Sequence, residues 1–345
     1  EMSLVFQHDT ELYSVCFSPD GKRLAVGDDI GRLFLIDVES GKVVSSTRLE
    51  NWRVVDLAFS PDGSELVAAS GSGAARFRLP QLKDAAFLAD PGRSIRAVQW
   101  LKRGSVMAWG GSAGLVHFNK SENETELGQF ELGDIDLGDI WSFSFDESEQ
   151  TLAGGGGSRV AVIWDRARGK LHRRLYGHGD RIAGIALSPD ARAVATASFD
   201  GSVRLWSSED PGEWVEVPNV SGSNKLAFAD GGSLLIVSGG GRVRALETHG
   251  WNQRYEYPSV KFAVSPDEQG SFLATKKDGR ISVLESATGS VVAVDANPWA
   301  SGPQDDLAIS ADGRRIISAH QNQLAVSTVD SAAPRKIITS GTLNF

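Results

Sequence analysis

The 345-residue sequence predicts an all-β fold of eight like units, and three observations carry that expectation. A short apolar motif recurs along the whole chain at a spacing of about 42 residues, the length of a four-stranded sheet repeat. Gly, Asp, Ser and Pro punctuate the gaps between apolar runs. No segment sustains a helical apolar period.

The recurring motif is two apolar residues flanking one residue, followed by a turn. Its copies are VCFSPDG (15–21), LAFSPDG (57–63), VQWLKRG (98–104), FSFDESE (143–149), IALSPDA (185–191), LAFADGG (226–232), FAVSPDE (262–268) and LAISADG (307–313). Side chains alternate faces along a strand, so the apolar pair points into one packing layer. The residue between them is Cys16, Ala58, Gln99, Ser144, Ala186, Ala227, Ala263 or Ala308, nearly always small, which lets a neighbouring sheet approach on the second face.

Each later element follows from local chemistry. In Ser-Pro-Asp-Gly the proline presets φ, the serine and aspartate hydrogen-bond the local backbone, and the glycine takes a left-handed position. Second strands follow as RLAVG (23–27), ELVAAS (65–70), AVATAS (193–198) and FLAT (272–275). Third strands read RLFLID (32–37), RVAVIWD (159–165), SVRLW (202–206) and RISVLE (280–285), and fourth strands KVVSSTRL (42–49) and SVVAVD (290–295). The glycine clusters at 110–111, 154–157 and 239–241 are expected to be second-to-third strand turns, since no helix and no Gly-Lys-Ser/Thr sequence follows them to cradle a phosphate.

Meanders of this kind bury both faces only by stacking radially. The expectation is one closed β-propeller over residues 1–345, with units at 13–51, 54–93, 95–134, 140–180, 182–222, 225–260, 261–301 and 306–345, and with seven blades as the alternative to eight. SLVF (3–6) and KIIT (336–339) are both candidate fourth strands for the last unit.

Composition narrows the function. The net charge is −9 with both signs interspersed, which disfavours nucleic acid as the main partner. No apolar run is long enough to cross a bilayer as a helix, and no membrane partner is expected. Cys16, the single cysteine, forms no intrachain disulfide and no cysteine-based zinc site, and a cytoplasmic setting is expected. The opening Glu1-Met2 reads as the start of a piece from a longer polypeptide. His8, His117, His172, His249 and His320 are scattered without metal-ligand spacing, and LGDIDLGDIW (132–141) lacks the glycine and distal glutamate of a calcium loop. No metal and no cofactor are expected. Asn123-Glu124-Thr125 and Asn219-Val220-Ser221 match glycosylation acceptors, which carry no weight without a secretory route.

The repeat resembles the WD-repeat β-propeller family over nearly the whole chain, through Gly177-His178, the Trp164-Asp165 ending and looser endings such as Ile36-Asp37 and Leu284-Glu285. Only the fifth unit, around ASFDGSVRLW (197–206), carries the full set of His178, Ser198, Asp200 and Trp206. The resemblance implies that these four form a hydrogen-bonded tetrad tying the strands of one blade. A Ser-His-Asp nucleophile is the competing reading. It leaves Trp206 without a role, and the serine lacks the strand-turn-helix elbow of a hydrolase. Positions matching Asp200 read Ile30, Ser158 and Gly240 in units one, four and six, while unit seven keeps Asp278. Blades lacking the acid are expected to be held by apolar packing and backbone ladders.

With the repeats explained structurally, function is expected where the units differ, on the loops at the strand ends. In the family this resembles, loops before the first strand and second-to-third strand turns commonly bind proteins or peptides. Here those positions hold Trp52, Arg53, Arg96, Trp141, Arg181, Phe199, Lys277 and Trp299. Tryptophan and arginine are the types enriched at interface hot spots. The expectation is a non-enzymatic scaffold or sensor binding a protein or peptide, acidic in character because Arg53, Arg96 and Arg181 recur at related loop positions. A methyl-lysine reader is a lesser reading, since a cage needs several converging rings. A propeller hydrolase or lyase with a site at the central tunnel, and a permanent structural subunit, are the alternatives. Oligomeric state is not readable from the sequence.

Overall fold

The computed structural model describes residues 2–7, 10–49, 53–71, 73–87, 94–101, 106–120, 126–131, 138–209, 214–217, 225–259, 261–265, 267, 269–277, 280–296, 306–320 and 323–328. They form eight four-stranded antiparallel sheets, the blades of an eight-bladed β-propeller, with two short 3-10 turns as the only helical elements described. The strands divide into two compact units, Glu1–Arg93 with Val98–Trp100 and Lys261–Phe345, and Ser94–Ala97 with Leu101–Val260.

In the first unit, blade one is Leu12–Phe17, Arg23–Asp28, Arg32–Asp37 and Val43–Arg48. Blade two is Val54–Phe59, Glu65–Ser70, Gly73–Arg78 and Lys83–Phe87. Blade seven is Lys261–Val264, Phe272–Lys277, Arg280–Glu285 and Val291–Ala296. Blade eight is Asp306–Ile309, Arg315–His320 and Gln323–Thr328, and Met2–Gln7 supplies its fourth strand by pairing antiparallel with Gln323–Thr328. Of the two candidate fourth strands, the one at 3–6 takes this edge; that at 336–339 lies outside the described residues. Leu24, Val26, Phe34 and Ile36 of blade one pack on Ile317, Leu324 and Val326 of blade eight. Ala25, Leu33 and Leu35 pack on Leu57, Leu66 and Phe77 of blade two.

Blade three is Ile95–Trp100, whose residues 98–100 count with the first unit, and Val106–Gly111, Leu115–Lys120 and Glu126–Glu131 of the second. Blade four is Ile140–Phe145, Thr151–Gly156, Ala161–Asp165 and Lys170–Leu175. Blade five is Ile182–Leu187, Ala193–Ser198, Val203–Ser207 and Trp214–Val217, and blade six Leu226–Ala229, Leu234–Gly239, Arg242–Glu247 and Gln253–Pro258. Ala153 and Ile163 pack on Ile185 and Val194, and Ala195 and Leu205 on Leu235 and Val237. The small first-strand residues have the expected consequence: Ser144 Oγ is close enough to accept from Leu187 N of the next blade at 3.1 Å.

The first-to-second strand turns are closed by the serine and aspartate of the repeat. Ser18 Oγ donates to Asp20 at 2.6 Å, and Ser60, Ser188 and Ser310 repeat the contact with Asp62, Asp190 and Asp312 at 2.6 to 2.7 Å. Hydrogen bonds from Ser60 and Ser64 hold the Asp62 carboxyl below the usual carboxylate range. These turns sit at one end of each blade. The start of the first strand and the second-to-third turn meet at the other.

Glycines 110–111 and 154–156 lie inside second strands, which corrects their reading as turns; only 240–241 of the third cluster form one. The reason is a close backbone approach. A Cβ on Gly111 would stand 2.0 Å from the Ser94 carbonyl oxygen, and one on Gly156 would stand 2.0 Å from that of Asp139.

Candidate functional site

In blades one to five the first strand begins with a buried apolar residue: Leu12, Val54, Ile95, Ile140 and Ile182. In blades one, two, four and five the pairing register then slips, between Leu12 and Ser14, Val54 and Asp56, Ile140 and Ser142, and Ile182 and Gly184. Each slip inserts one unpaired residue, respectively Tyr13, Val55, Trp141 and Ala183, and such a bulge re-aims the side chain it carries. Arg96 holds the same sequence position in blade three. Arg53, Asp139 and Arg181 stand just before the apolar residue of blades two, four and five.

In the second unit these positions converge on one indole. The Arg96 guanidinium carbon lies 5.6 Å from the Trp141 ring centroid and that of Arg181 lies 5.4 Å from it. Phe199, on the second-to-third turn of blade five, meets Trp141 edge to face at 5.9 Å and 90°, with Arg181 5.2 Å from its own ring. Phe199 is 58% exposed. Each cation–π contact at such an exposed site is worth about 0.5–1 kcal/mol. Asp139 stands 3.8 Å from Arg96 Nε and Asp180 stands 3.6 Å from Arg181 Nε, ion-pair distances beyond hydrogen-bond reach. The Asp180 carboxylate instead accepts from the Arg181 backbone N–H at 2.7 Å.

The arrangement has a counterpart in the first unit. Arg53 lies 4.2 Å over the Tyr13 ring and donates to its hydroxyl at 2.9 Å. In both cases the residue before the apolar start of one blade covers the bulge residue of the blade before it. The sequence reading named five of these side chains, Arg53, Arg96, Trp141, Arg181 and Phe199, and missed Tyr13 and the acids Asp139 and Asp180. The findable signal was the residue after each apolar start. Trp52 and Trp299 lie outside the described residues, and Lys277 ends the strand Phe272–Lys277 with its side chain outside them.

Blade five holds a hydrogen-bonded chain whose hydroxyl differs from the expected one. His178 Nδ1 contacts Asp200 Oδ2 at 2.8 Å, His178 Nε2 contacts Thr196 Oγ1 at 2.7 Å, and Trp206 Nε1 donates to Thr196 Oγ1 at 2.8 Å. Thr196 therefore takes the place expected of Ser198. Ser198 lies two residues along on the same strand face, and its hydroxyl donates to the Asp180 carbonyl at 3.0 Å. His178 touches Thr196, Asp200 and Ser202 but not Ser198, so the geometry of a Ser198 nucleophile with a His178 base is absent. Burial lowers the His178 pKa and outweighs the opposing hydrogen bond and charge of Asp200. Burial alone would raise the Asp200 pKa, but hydrogen bonds from Ser202, Gly179 and His178 hold it well below the usual carboxylate range.

Other blades carry polar fastenings of different composition, a second departure from the sequence reading. In blade one Asp28, two residues before the expected Ile30, is fully buried and accepts from Thr10 at 2.9 Å and from Arg32 Nε at 2.6 Å. In blade three the Trp109 and His117 rings stack at 3.8 Å and 6°, and Trp109 Nε1 donates to Asn119 at 3.0 Å. Asp278 lies outside the described residues. Among the described residues no group of three or more His, Cys, Asp or Glu is placed to hold a metal ion.

Comparisons with known proteins match parts of the chain. A family model described as "WD domain, G-beta repeat" matches residues 169–207, which include Arg181, the blade-five chain and Phe199. The "Anaphase-promoting complex subunit 4 WD40 domain" model matches residues 4–60. The chain is similar to the guanine nucleotide-binding protein subunit beta of Saccharomyces cerevisiae, 25% identical over 51% of this chain and 40% of that one. It is similar to apoptotic protease-activating factor 1 of Rattus norvegicus, 21% identical over 75% of this chain and 22% of that one. Periodic tryptophan protein 2 of Arabidopsis thaliana is 22% identical over 64% of this chain and 24% of its own. The chain thus spans less than half the length of each of these relatives.

Proposed function

Because this chain belongs to the WD-repeat family of β-propellers, we propose that it is a non-enzymatic protein-interaction module, a scaffold or sensor, that binds a protein or peptide at the loop ends of its blades. The observation that carries this reading is Trp141 with two guanidiniums and the exposed Phe199 ring gathered on it. Aromatic and arginine side chains together supply contact area and directed donors, the composition of an interface hot spot. The partner segment is acidic. A guanidinium stacked on a ring keeps its N–H edge free for a carboxylate, and Asp139 and Asp180 stand beyond hydrogen-bond distance of Arg96 and Arg181. The single cysteine supports a cytoplasmic setting.

Reversing Arg53, Arg96 and Arg181 to glutamate together tests the reading by affinity capture from native extract. The expected result is loss of the captured partner. A control Arg192→Glu variant alters the turn at the opposite end of blade five and retains it. Capture unchanged in the triple variant refutes the reading.

A further inference from the structure

The blade-five chain lies directly beneath two of the proposed docking side chains. Asp200 Oδ2 accepts from His178 Nδ1 at 2.8 Å and from Gly179 N at 2.8 Å, which ties the loop leading to Arg181 onto the turn that carries Phe199. Its other oxygen accepts from Ser202 N at 2.8 Å and Ser202 Oγ at 2.7 Å, closing that turn. Ser198 Oγ donates to Asp180 O at 3.0 Å and accepts from Asp200 N at 3.1 Å, while Phe199 N donates to Arg181 O at 3.0 Å. The residues immediately before Arg181 and on either side of Phe199 are thus fixed to one another through a single carboxylate and a single hydroxyl.

The donors run one way. The ionised Asp200 only accepts, so His178 Nδ1 carries the proton and Nε2 accepts from the Thr196 hydroxyl, whose oxygen takes the Trp206 N–H. The upstream half of the chain, from Trp206 through Thr196 to His178, joins the interior of the blade. Only the downstream half, at Asp200, joins the loop to the turn.

We propose that Asp200 is a positioning residue of the partner site, holding Arg181 and Phe199 against Trp141 before any partner arrives. The two halves of the chain then have separable roles: Thr196 and Trp206 stabilise the blade, and Asp200 presets the docking pair. Holding exposed side chains in their bound geometry in advance lowers the ordering cost of association. This proposal rests on the reading of the cluster as a docking surface, yet its test needs no partner.

The test is the arginine Nε–Hε resonance in the full chain, because a proton held near an aromatic face is shifted by the ring current. Arg181 and Arg96 both report on Trp141, and Arg53 reports on Tyr13. In an Asp200→Ala variant the Arg181 signal is expected to move toward that of a ring-free guanidinium while those of Arg96 and Arg53 stay. In a Thr196→Val variant the melting temperature falls and the Arg181 signal stays. An unmoved Arg181 signal in Asp200→Ala overturns the proposal, as does movement of all three signals together, which would mark Asp200 as a general fastening. Either failure leaves the capture result with the arginine triple variant standing on its own.

Discussion

Replacing Gly156 with alanine places a methyl carbon 2.0 Å from the Asp139 carbonyl oxygen and 2.6 Å from the Trp141 backbone nitrogen. Both obstacles are backbone, so no rotamer change relieves them. Gly156 is outside the left-handed region, so the substitution adds no conformational strain of its own. The loop before blade four must therefore lift off the second strand. Two links are lost or stretched: the hydrogen bond from Gly157 N to Asp139 O at 2.7 Å and the pairing of Ile140 with Gly156. At about 1 kcal/mol for each, plus an overpacking cost of about 1–3 kcal/mol, the total is roughly 3–5 kcal/mol. For a chain of this length that corresponds to a fall of about 4–7 °C in Tm. Gly241→Ala is the control: it has φ +75 and nothing within 4 Å of the added carbon, so it bears only left-handed strain of about 1 kcal/mol. Thermal melting of both variants, followed by circular dichroism, decides the matter. A Gly156→Ala protein as stable as wild type, or less affected than Gly241→Ala, refutes the close approach that positions Trp141.

Asp28→Asn removes the carboxylate that Thr10 and Arg32 share in blade one and is expected to cost about 3 kcal/mol, read as a lower urea midpoint with unchanged slope. Thr196→Val leaves the Trp206 N–H without its acceptor and His178 Nε2 without its donor, a loss of roughly 2 kcal/mol by the same assay. Acid unfolding follows the two depressed pKa values. For both groups the stabilising contribution is present above the unfolded pKa and is lost as pH falls. That of His178 goes below its ordinary value of 6.5, and that of Asp200 below its ordinary value of 3.8. The melting-temperature gap between His178→Gln and wild type should therefore narrow as pH falls below 6.5; a gap that stays constant below 6.5 counts against the depressed histidine.

Much of the architecture was legible because the physics that builds a blade is local and repeats. Strand alternation marked the first strands through residues such as Phe17, Phe59 and Leu187, and Ser-Pro-Asp-Gly marked the turns through Ser18 and Asp20. The bulges were not legible. An inserted residue such as Trp141 changes only which partner it faces, and that depends on the register of a strand some fifteen residues away. The same limit exchanged Thr196 for Ser198: both point to one face of the strand, and only the reach of His178 selects between them. Asp28 was missed because a carboxylate at the end of the second strand, rather than in the turn, does the work there with Arg32 as its cation. The glycines of blade four read as a turn because flexibility and close approach call for the same residue.

The proposed partner site is the cluster around Trp141. Its most direct measurement is site-specific photo-crosslinking of the full chain, with a photoreactive phenylalanine analogue at Phe199 and, separately, at Val215 on the fourth strand of blade five, both exposed. One crosslinked partner is expected from position 199, none from 215, and the 199 product is lost when Arg96 and Arg181 are reversed to glutamate. A partner crosslinked from 215 alone, or a 199 product indifferent to the two arginines, would contradict it.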